Sequence, residues 1–433
     1  MLGGSFWQAQ VYLNLVNAGI MLLHTLFSRY LNISCVTFWF GKVGLLLLLL
    51  AVLSALTPVA ATESATKPAA SDTAITGTKP ASEPALLAPV LRLPALNDTL
   101  SDAAVVHFAS WQQQAKALLN HALLLPPADP ALIAAAKRIE RAVHPNLEQW
   151  QLQLWQPLDL YLYQPASLRQ SAVNAVILLH DHGAEFRIGK DKWLPAAHSQ
   201  TPELVKQWQQ KYFDGVAIAE LLRAQGYLVL LADAPGFAAR GPLQYADQQQ
   251  LAANLQAQGV SLAGLMARED EAAAAFLARQ PGVRGIAAIG FSMGGFRAWQ
   301  LAALSADVDA AVSVGWFNSL RFLRDPINNF SRGQTAFYLI HPGLYRQLDL
   351  PDIAALAAPK PLLFLHGDQD PLMPPGQVTV AFQQLKARYQ QCGAPSPALV
   401  IAKAQGHRFG LQLQQLMLQW LGQLQLPVPE CSN

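Results

Sequence analysis

Charge is scarce in this sequence. Only 13% of its 433 residues are charged, against 52% hydrophobic. Lys and Arg total 30 and Asp and Glu 28. Residues 1–61 hold Arg29 and Lys42 and no acid, so the remainder carries 28 of each sign. A neutral chain gives no electrostatic reason to bind nucleic acid or an anionic membrane surface. Cysteine is scarce too: Cys35, Cys392 and Cys431 are the whole complement. There is no CxxC pair and no metal-finger spacing. Cys35 falls in a targeting region, so one disulfide at most, Cys392–Cys431, is open to the mature protein. The plainer expectation is two unpaired or peripheral cysteines. Sequence repeats are absent, which excludes solenoid and propeller arrays.

One long hydrophobic run is present. Residues 41–61 read GKVGLLLLLLAVLSALTPVAA. Lys42 gives a positive flank, Val43–Leu56 an apolar core, and Val59, Ala60 and Ala61 small residues suited to cleavage, the pattern of a secretory signal peptide. Residues 1–40 are apolar and aromatic, unlike an ordinary basic leader. Residues 1–61 are therefore read as a signal peptide or an N-terminal membrane segment. The expected location is the periplasm or the exterior, with membrane association if the segment is kept. Residues 62–96 are rich in Ala, Thr, Ser and Pro and are read as a disordered linker.

Residues 97–425 read as one catalytic domain, with N-terminal helices over 97–145. Helical spacing is expected across Asp98–His121 and Asp129–Val143. Gln149–Trp155 and Leu158–Tyr163 alternate apolar and polar side chains, as half-buried strands do. Short continuous apolar runs follow at Ala175–Leu179, Tyr227–Ala232, Gly285–Ile289, Ala310–Val314, Pro361–Leu365 and Ala398–Ala402. Helical stretches separate them: Gly215–Ala224, Leu262–Arg279, Phe296–Leu304, Val378–Tyr389 and Leu411–Leu424. Buried strands alternating with helices predict an α/β fold, with a mostly parallel central sheet covered on both faces. The site is then expected at the carboxyl ends of the strands.

One of those ends carries a motif. The run Gly285–Ile289 leads into Gly290-Phe291-Ser292-Met293-Gly294-Gly295 and then a helix, a GxSxG in strand–turn–helix context. A chain reversing sharply at Ser292 needs neighbours without side chains at 290 and 294. It also leaves the Met293 N–H at a helix N-terminus, where an oxyanion can be held. A bare GxSxG also arises as an ordinary glycine-rich turn; the flanking strand and helix argue against that here.

A serine nucleophile needs a base to take its proton. In this layout the chain order is Ser, acid, His. After Pro361–Leu365 comes His366-Gly367-Asp368-Gln369-Asp370-Pro371. Asp370 is favoured as the acid, with Asp368 forming the turn; the plainer role for Asp370 is an Asx-turn carboxylate. His407 lies between the last strand run and the C-terminal helix and is the expected base. The loop after Ala175–Leu179 reads His180-Asp181-His182-Gly183. There the His182 backbone N–H is the expected second oxyanion donor, with Asp181 next. A metal held by His180 and His182 is the weaker reading, lacking a third ligand at telling spacing.

Two insertions, Glu185–Asp214 and Trp316–Leu350, are expected to wall the cleft. Asp181, Arg240 and Trp316 are the candidate substrate-binding residues. A structural salt bridge is the better expectation for Arg240, and a core position the usual fate of a tryptophan. Arg268, Glu269 and Asp270 read as a structural cluster. No metal or organic cofactor is called for.

These segments resemble the dienelactone-hydrolase-like and acetyl-xylan-esterase-like branch of the α/β-hydrolases. The resemblance rests on HDHGAEFRIGK (180–190), DAPGFAARG (233–241), SLAGLMAREDEAAAAFL (261–277), GFSMGGFRAWQLAAL (290–304), residues 341–374 and GH (406–407), and it spans roughly 98–424. It implies a serine esterase with its triad at Ser292, Asp370 and His407. Two departures stand out: HD replaces the usual HG at 180–181, and GFAARG the usual GFGxRG. The expected activity is hydrolysis of carboxylic esters through an acyl-enzyme, with small-molecule or carbohydrate esters as substrates. A serine peptidase of the same fold is the alternative. A non-catalytic relative of the fold and a dienelactone-type ring opening are the weaker readings.

Overall fold

The computed structural model describes residues 107–166, 173–323 and 336–425. The expected leader and linker and the start of the first expected helix lie outside them.

The elements run in the order α1 (Phe108–Ala122), α2 (Pro130–Ala134), β1 (Lys137–His144), β2 (Leu147–Gln153), β3 (Pro157–Tyr163) and β4 (Val173–Leu179). Then come α3 (Pro202–Phe213), α4 (Ile218–Ala224), β5 (Leu228–Ala232), α5 (Tyr245–Ala257), α6 (Leu262–Ala278), β6 (Val283–Phe291) and α7 (Met293–Leu304). The chain continues through β7 (Ala310–Val314), α8 (Leu320–Leu323), α9 (Leu350–Ala355), β8 (Leu362–Gly367), α10 (Pro375–Cys392), β9 (Ala398–Ala402) and α11 (Leu411–Gln423).

The nine strands form one sheet in the order β1-β2-β3-β5-β4-β6-β7-β8-β9. β1, β2, β3 and β5 pair antiparallel in succession, and every pair from β5 to β9 is parallel. The expected mostly parallel α/β sheet is therefore present. Its central strands are mostly apolar because both faces are covered. Period-two alternation splits each strand between two cores. In β4, Ala175, Ile177 and Leu179 face one core, while Val176 and Leu178 face the other. Helices α6, α7 and α10 close the first core, and α3, α4 and α11 the second.

The expected helix Asp129–Val143 is only partly present. Asp129 accepts the Ala131 N–H at 2.8 Å and caps α2, which stops after five residues. The chain then becomes β1, paired through Lys137–Gln151, Arg138–Trp150 and Ile139–Gln149. Pro145 in the following turn cannot continue a helix, and the free edge of β2 supplies ladder partners that local propensity does not foresee. Helices α3 and α5 were not expected. α3 lies within the insertion 185–214, where Pro202 sits in the first turn and Asp214 ends the helix in the left-handed region at φ 53°.

Cys392 is disulfide-bonded. That replaces the expectation of unpaired cysteines, and its partner lies outside the described residues.

Candidate active site

β6 ends in the turn the motif requires. Ser292 has φ 53° and ψ −122°, a strained left-handed conformation for a residue with a side chain. Its N–H donates to Val314 O at 2.8 Å, and its own carbonyl accepts from Gly295 and Phe296 as α7 begins. A Cβ at 290 would lie 1.9 Å from Gly294 O, and one at 294 only 1.7 Å from Leu179 O. Both glycines are therefore steric necessities. The second contact also seats the start of α7 against the exit of β4.

Three side chains meet at this edge of the sheet. His407 Nε2 lies 2.9 Å from Ser292 Oγ, and His407 Nδ1 lies 2.7 Å from Asp370 Oδ2. An ionised carboxylate only accepts, so Nδ1 carries the proton and Nε2 is left to accept from the serine hydroxyl. The imidazole packs beside Phe291, ring centres 5.0 Å apart, and over Gly315, where a Cβ would come within 3.3 Å of it.

Asp370 is only 3% exposed. Its Oδ1 accepts the N–H groups of Leu372 at 2.9 Å and Met373 at 3.2 Å. Burial alone would raise its pKa; His407 and these hydrogen bonds outweigh that and hold it below the ordinary carboxylate value. Asp368, the competing carboxylate, instead faces the Gln405 N–H at 3.4 Å and exposed Lys403 at 3.7 Å. It shapes the turn, as expected.

The Met293 N–H opens α7 and has no acceptor within the helix. Across from it the loop after β4 is buried: His180, Asp181 and His182 are at most 1% exposed. Both imidazoles are fully engaged. Ala234 N–H donates to His180 Nε2 at 3.0 Å while Nδ1 meets Asp181 O at 2.9 Å. His182 Nε2 meets Gln248 Oε1 at 2.7 Å while Nδ1 accepts from Ala184 N–H at 3.1 Å. No ring nitrogen of this pair remains to hold a metal. Burial keeps both rings neutral, with His182 pulled down to about 4.

The candidate substrate-binding side chains have other employment. Asp181 is paired with buried Lys192, Nζ to Oδ2 3.2 Å. Arg240 makes a bidentate pair with Glu269 at 2.6 and 2.7 Å, the structural alternative foreseen for it. Trp316 is 5% exposed and packs against Phe296 and Trp299. The charges of Asp181 and Arg240 are thus paired within the protein rather than offered to a substrate. Buried Arg268 pairs with partly exposed Glu271, and Arg297 of α7 with Asp270 in the interior at 2.6 and 2.9 Å. Arg297 also donates to His180 O at 3.4 Å, tying the nucleophile's helix to the opposite loop.

Several supporting residues carried no local signal. The sequence alone assigns no role to Lys190, Lys192 or Arg297, yet all three are buried. His366, next to last in β8, has 0% exposure and no hydrogen-bond partner on either nitrogen. Burial lowers its pKa to about 4, so a neutral imidazole sits near Asp370 and His407.

An αβα sandwich with Ser292, Asp370 and His407 in that chain order at its carboxyl edge is the arrangement of the α/β-hydrolase fold. Residues 211–392 match the family model described as "Dienelactone hydrolase family". A Bacillus subtilis (strain 168) protein, YtaP, whose name describes it as a hydrolase, is 27% identical over 235 residues, 54% of this chain and 72% of that protein. Among solved structures, one described as an acetyl xylan esterase from Bacteroides fragilis NCTC 9343 aligns with a TM-score of 0.56 at 16% identity, over 75% of this chain and 90% of that one. A glucuronoyl esterase of carbohydrate esterase family 15 from Caldicellulosiruptor kristjansonii aligns at 0.52, also with 16% identity, over 76% and 90%. At that identity the likeness speaks to the fold.

Proposed function

We propose that the protein is a serine esterase that cleaves carboxylic esters through an acyl-enzyme, with Ser292 as nucleophile, His407 as general base and Asp370 orienting it. The observation that carries this reading is the unbroken hydrogen-bonded succession from Ser292 Oγ through His407 to Asp370. As Oγ bonds to the acyl carbon, its proton passes to His407 Nε2. The carbonyl oxygen becomes an oxyanion facing the N–H groups of Met293 and His182. Collapse breaks the bond to the alcohol, which leaves with the proton from His407. Water then repeats the sequence on the acyl-enzyme, losing its proton to His407, and the acid and free serine return.

Carbohydrate esters, acetyl esters first among them, are the substrate class we favour. Two of the solved structures above are described as an acetyl xylan esterase and a carbohydrate esterase family 15 glucuronoyl esterase. Export to the periplasm or beyond fits the apolar leader at 41–61 and the disulfide at Cys392, since disulfides persist in oxidising compartments.

A panel of p-nitrophenyl esters, acetylated xylan oligosaccharides and peptide anilides tests the reading. Ester turnover that vanishes in Ser292→Ala is expected. Peptide cleavage with inert esters would transfer the site to the peptidases.

A further inference from the structure

The loop that faces the nucleophile is held from behind by a cation. Lys192 ends a single turn of 3-10 helix, Lys190–Lys192, and is 0% exposed. Its three N–H donors meet three oxygens: Asp181 O at 3.0 Å, Asp181 Oδ2 at 3.2 Å and His182 O at 3.2 Å. The Trp208 ring covers the ammonium at 4.3 Å and the Phe237 ring lies 5.4 Å away. Trp208 also seals the loop, because a Cβ at Gly183 would fall 2.2 Å from its ring. The Asp181 carbonyl takes a second donor. His180 Nε2 accepts from Ala234, so its Nδ1 carries the proton that reaches this oxygen at 2.9 Å.

That carbonyl belongs to the same peptide unit as the His182 N–H. In a trans peptide the two groups point in opposite directions. Ala358–Pro359 is the one cis bond among the described residues, so the 181–182 unit is trans. With its oxygen fixed onto Lys192 and His180, the unit must aim its N–H away from the buried ammonium. The cation also draws electron density along the amide, and in a buried, ring-lined enclosure that polarisation is little screened. The result is a backbone donor both fixed in direction and strengthened before any substrate arrives.

We propose that Lys192 is a positioning residue of the oxyanion hole, orienting and polarising the Asp181–His182 peptide so that the His182 N–H stabilises the transition-state oxyanion. The inference rests on the esterase reading and on His182 as a donor. It differs from a purely structural role, in which Lys192 would serve only to neutralise Asp181. Asp181 Oδ1 has no hydrogen-bond partner, so Lys192 engages this carboxylate through one oxygen while giving its other two donors to backbone carbonyls.

The test removes both charges together. In Lys192→Met/Asp181→Asn no carboxylate is stranded, so a structural role predicts normal activity. Our account predicts a melting temperature close to the parent's and KM within about threefold. It predicts kcat on the best ester of the panel lower by about ten- to a hundredfold, somewhat less than loss of a whole oxyanion donor. Affinity for phenylboronic acid, whose serine adduct places an oxygen in the hole, should fall in parallel. The neighbouring buried pair, Lys190 and Asp233 at 3.0 Å, whose ammonium also lies 3.8 Å from Asp191, is the control. Lys190→Met/Asp233→Asn should keep kcat within about threefold. A folded Lys192→Met/Asp181→Asn protein with unchanged kcat and boronate affinity would overturn the inference while leaving the esterase reading intact. Equal losses in both double variants would overturn it as well. A parent enzyme inert to esters and to a fluorophosphonate would remove the underlying reading itself. A crystal structure of the parent's boronate adduct needs no variant to fold. A boronate oxygen at hydrogen-bond distance from the His182 N–H supports the inference, and one held elsewhere contradicts it.

Discussion

Ser292, Asp370 and His407 each reach the cleft from a turn within a few residues of a strand end, and short motifs announce them. The loop 180–192 on the other side is organised by buried charge. Lys192 meets the Asp181 carboxylate and the carbonyls of Asp181 and His182, all inside the protein. The first wall is built from local backbone geometry: a φ of 53° at Ser292 and glycines that permit it. The second depends on side-chain contacts to partners ten and eleven residues away. Local geometry leaves a sequence signature, whereas buried contacts at that spacing do not.

The contrast can be broken most sharply at the nucleophile. Ser292→Ala should lower kcat on p-nitrophenyl acetate by about 10⁴-fold or more, with the melting temperature little changed, because a triad member acts as part of a unit. Residual turnover near the parent's would place the chemistry elsewhere. Next comes the choice between two carboxylates. Asp370→Asn should cost on the order of 10³- to 10⁴-fold in kcat by spoiling the imidazole tautomer. Asp368→Asn should stay within about threefold, since it loses only a turn contact. Equal effects would erase the distinction between orienting acid and turn residue.

The second wall is sharpened by stability rather than rate. Arg297→Met strands Asp270 in the interior and should cost about 3–5 kcal/mol, read from urea midpoints. Arg297→Met/Asp270→Leu should recover most of that loss, as an apolar pair replaces a buried ionic one. A single variant as stable as the parent would show that the pair is not desolvated in solution.

The smallest effect per group is a pH dependence. His182 and His366 remain neutral in the fold down to about 4, and His341 down to about 3, because burial penalises the imidazolium. Above their ordinary value of 6.5 neither the folded nor the unfolded chain is protonated, and stability is complete. Below it the unfolded chain takes up protons first. Each of these histidines should then remove about 1.4 kcal/mol per pH unit until its folded value is reached. Urea unfolding at pH 7.5, 5.5 and 4.5 should show a steepening decline; a flat profile would place these side chains in water.

Much of the architecture was legible because each central strand is a short apolar run with a helix after it. β4 through β9 fall within a few residues of where their runs predict. The exception, β1, follows a helix cap at Asp129 that propensity extends too far. An edge strand is defined by its neighbour's unpaired backbone, and sequence periodicity carries little of that. Within the site, Ser292, Asp370 and His407 could be named from motif and order. Arg240 and Trp316 were foreseen as structural alternatives and are so placed, engaged by Glu269 and by a cluster of aromatic rings. Lys192 could not be named, because a lysine in GKDK looks solvent-facing until Trp208 and Phe237 enclose it.

The central claim is that Ser292 is activated by His407, and covalent trapping tests it most directly. The full chain is treated with a fluorophosphonate and the adduct mapped by mass spectrometry, beside His407→Ala. The account predicts one stoichiometric adduct on Ser292 and labelling slowed by at least about a hundredfold in the variant. A folded parent that stays unlabelled, or one labelled equally fast without His407, would contradict it.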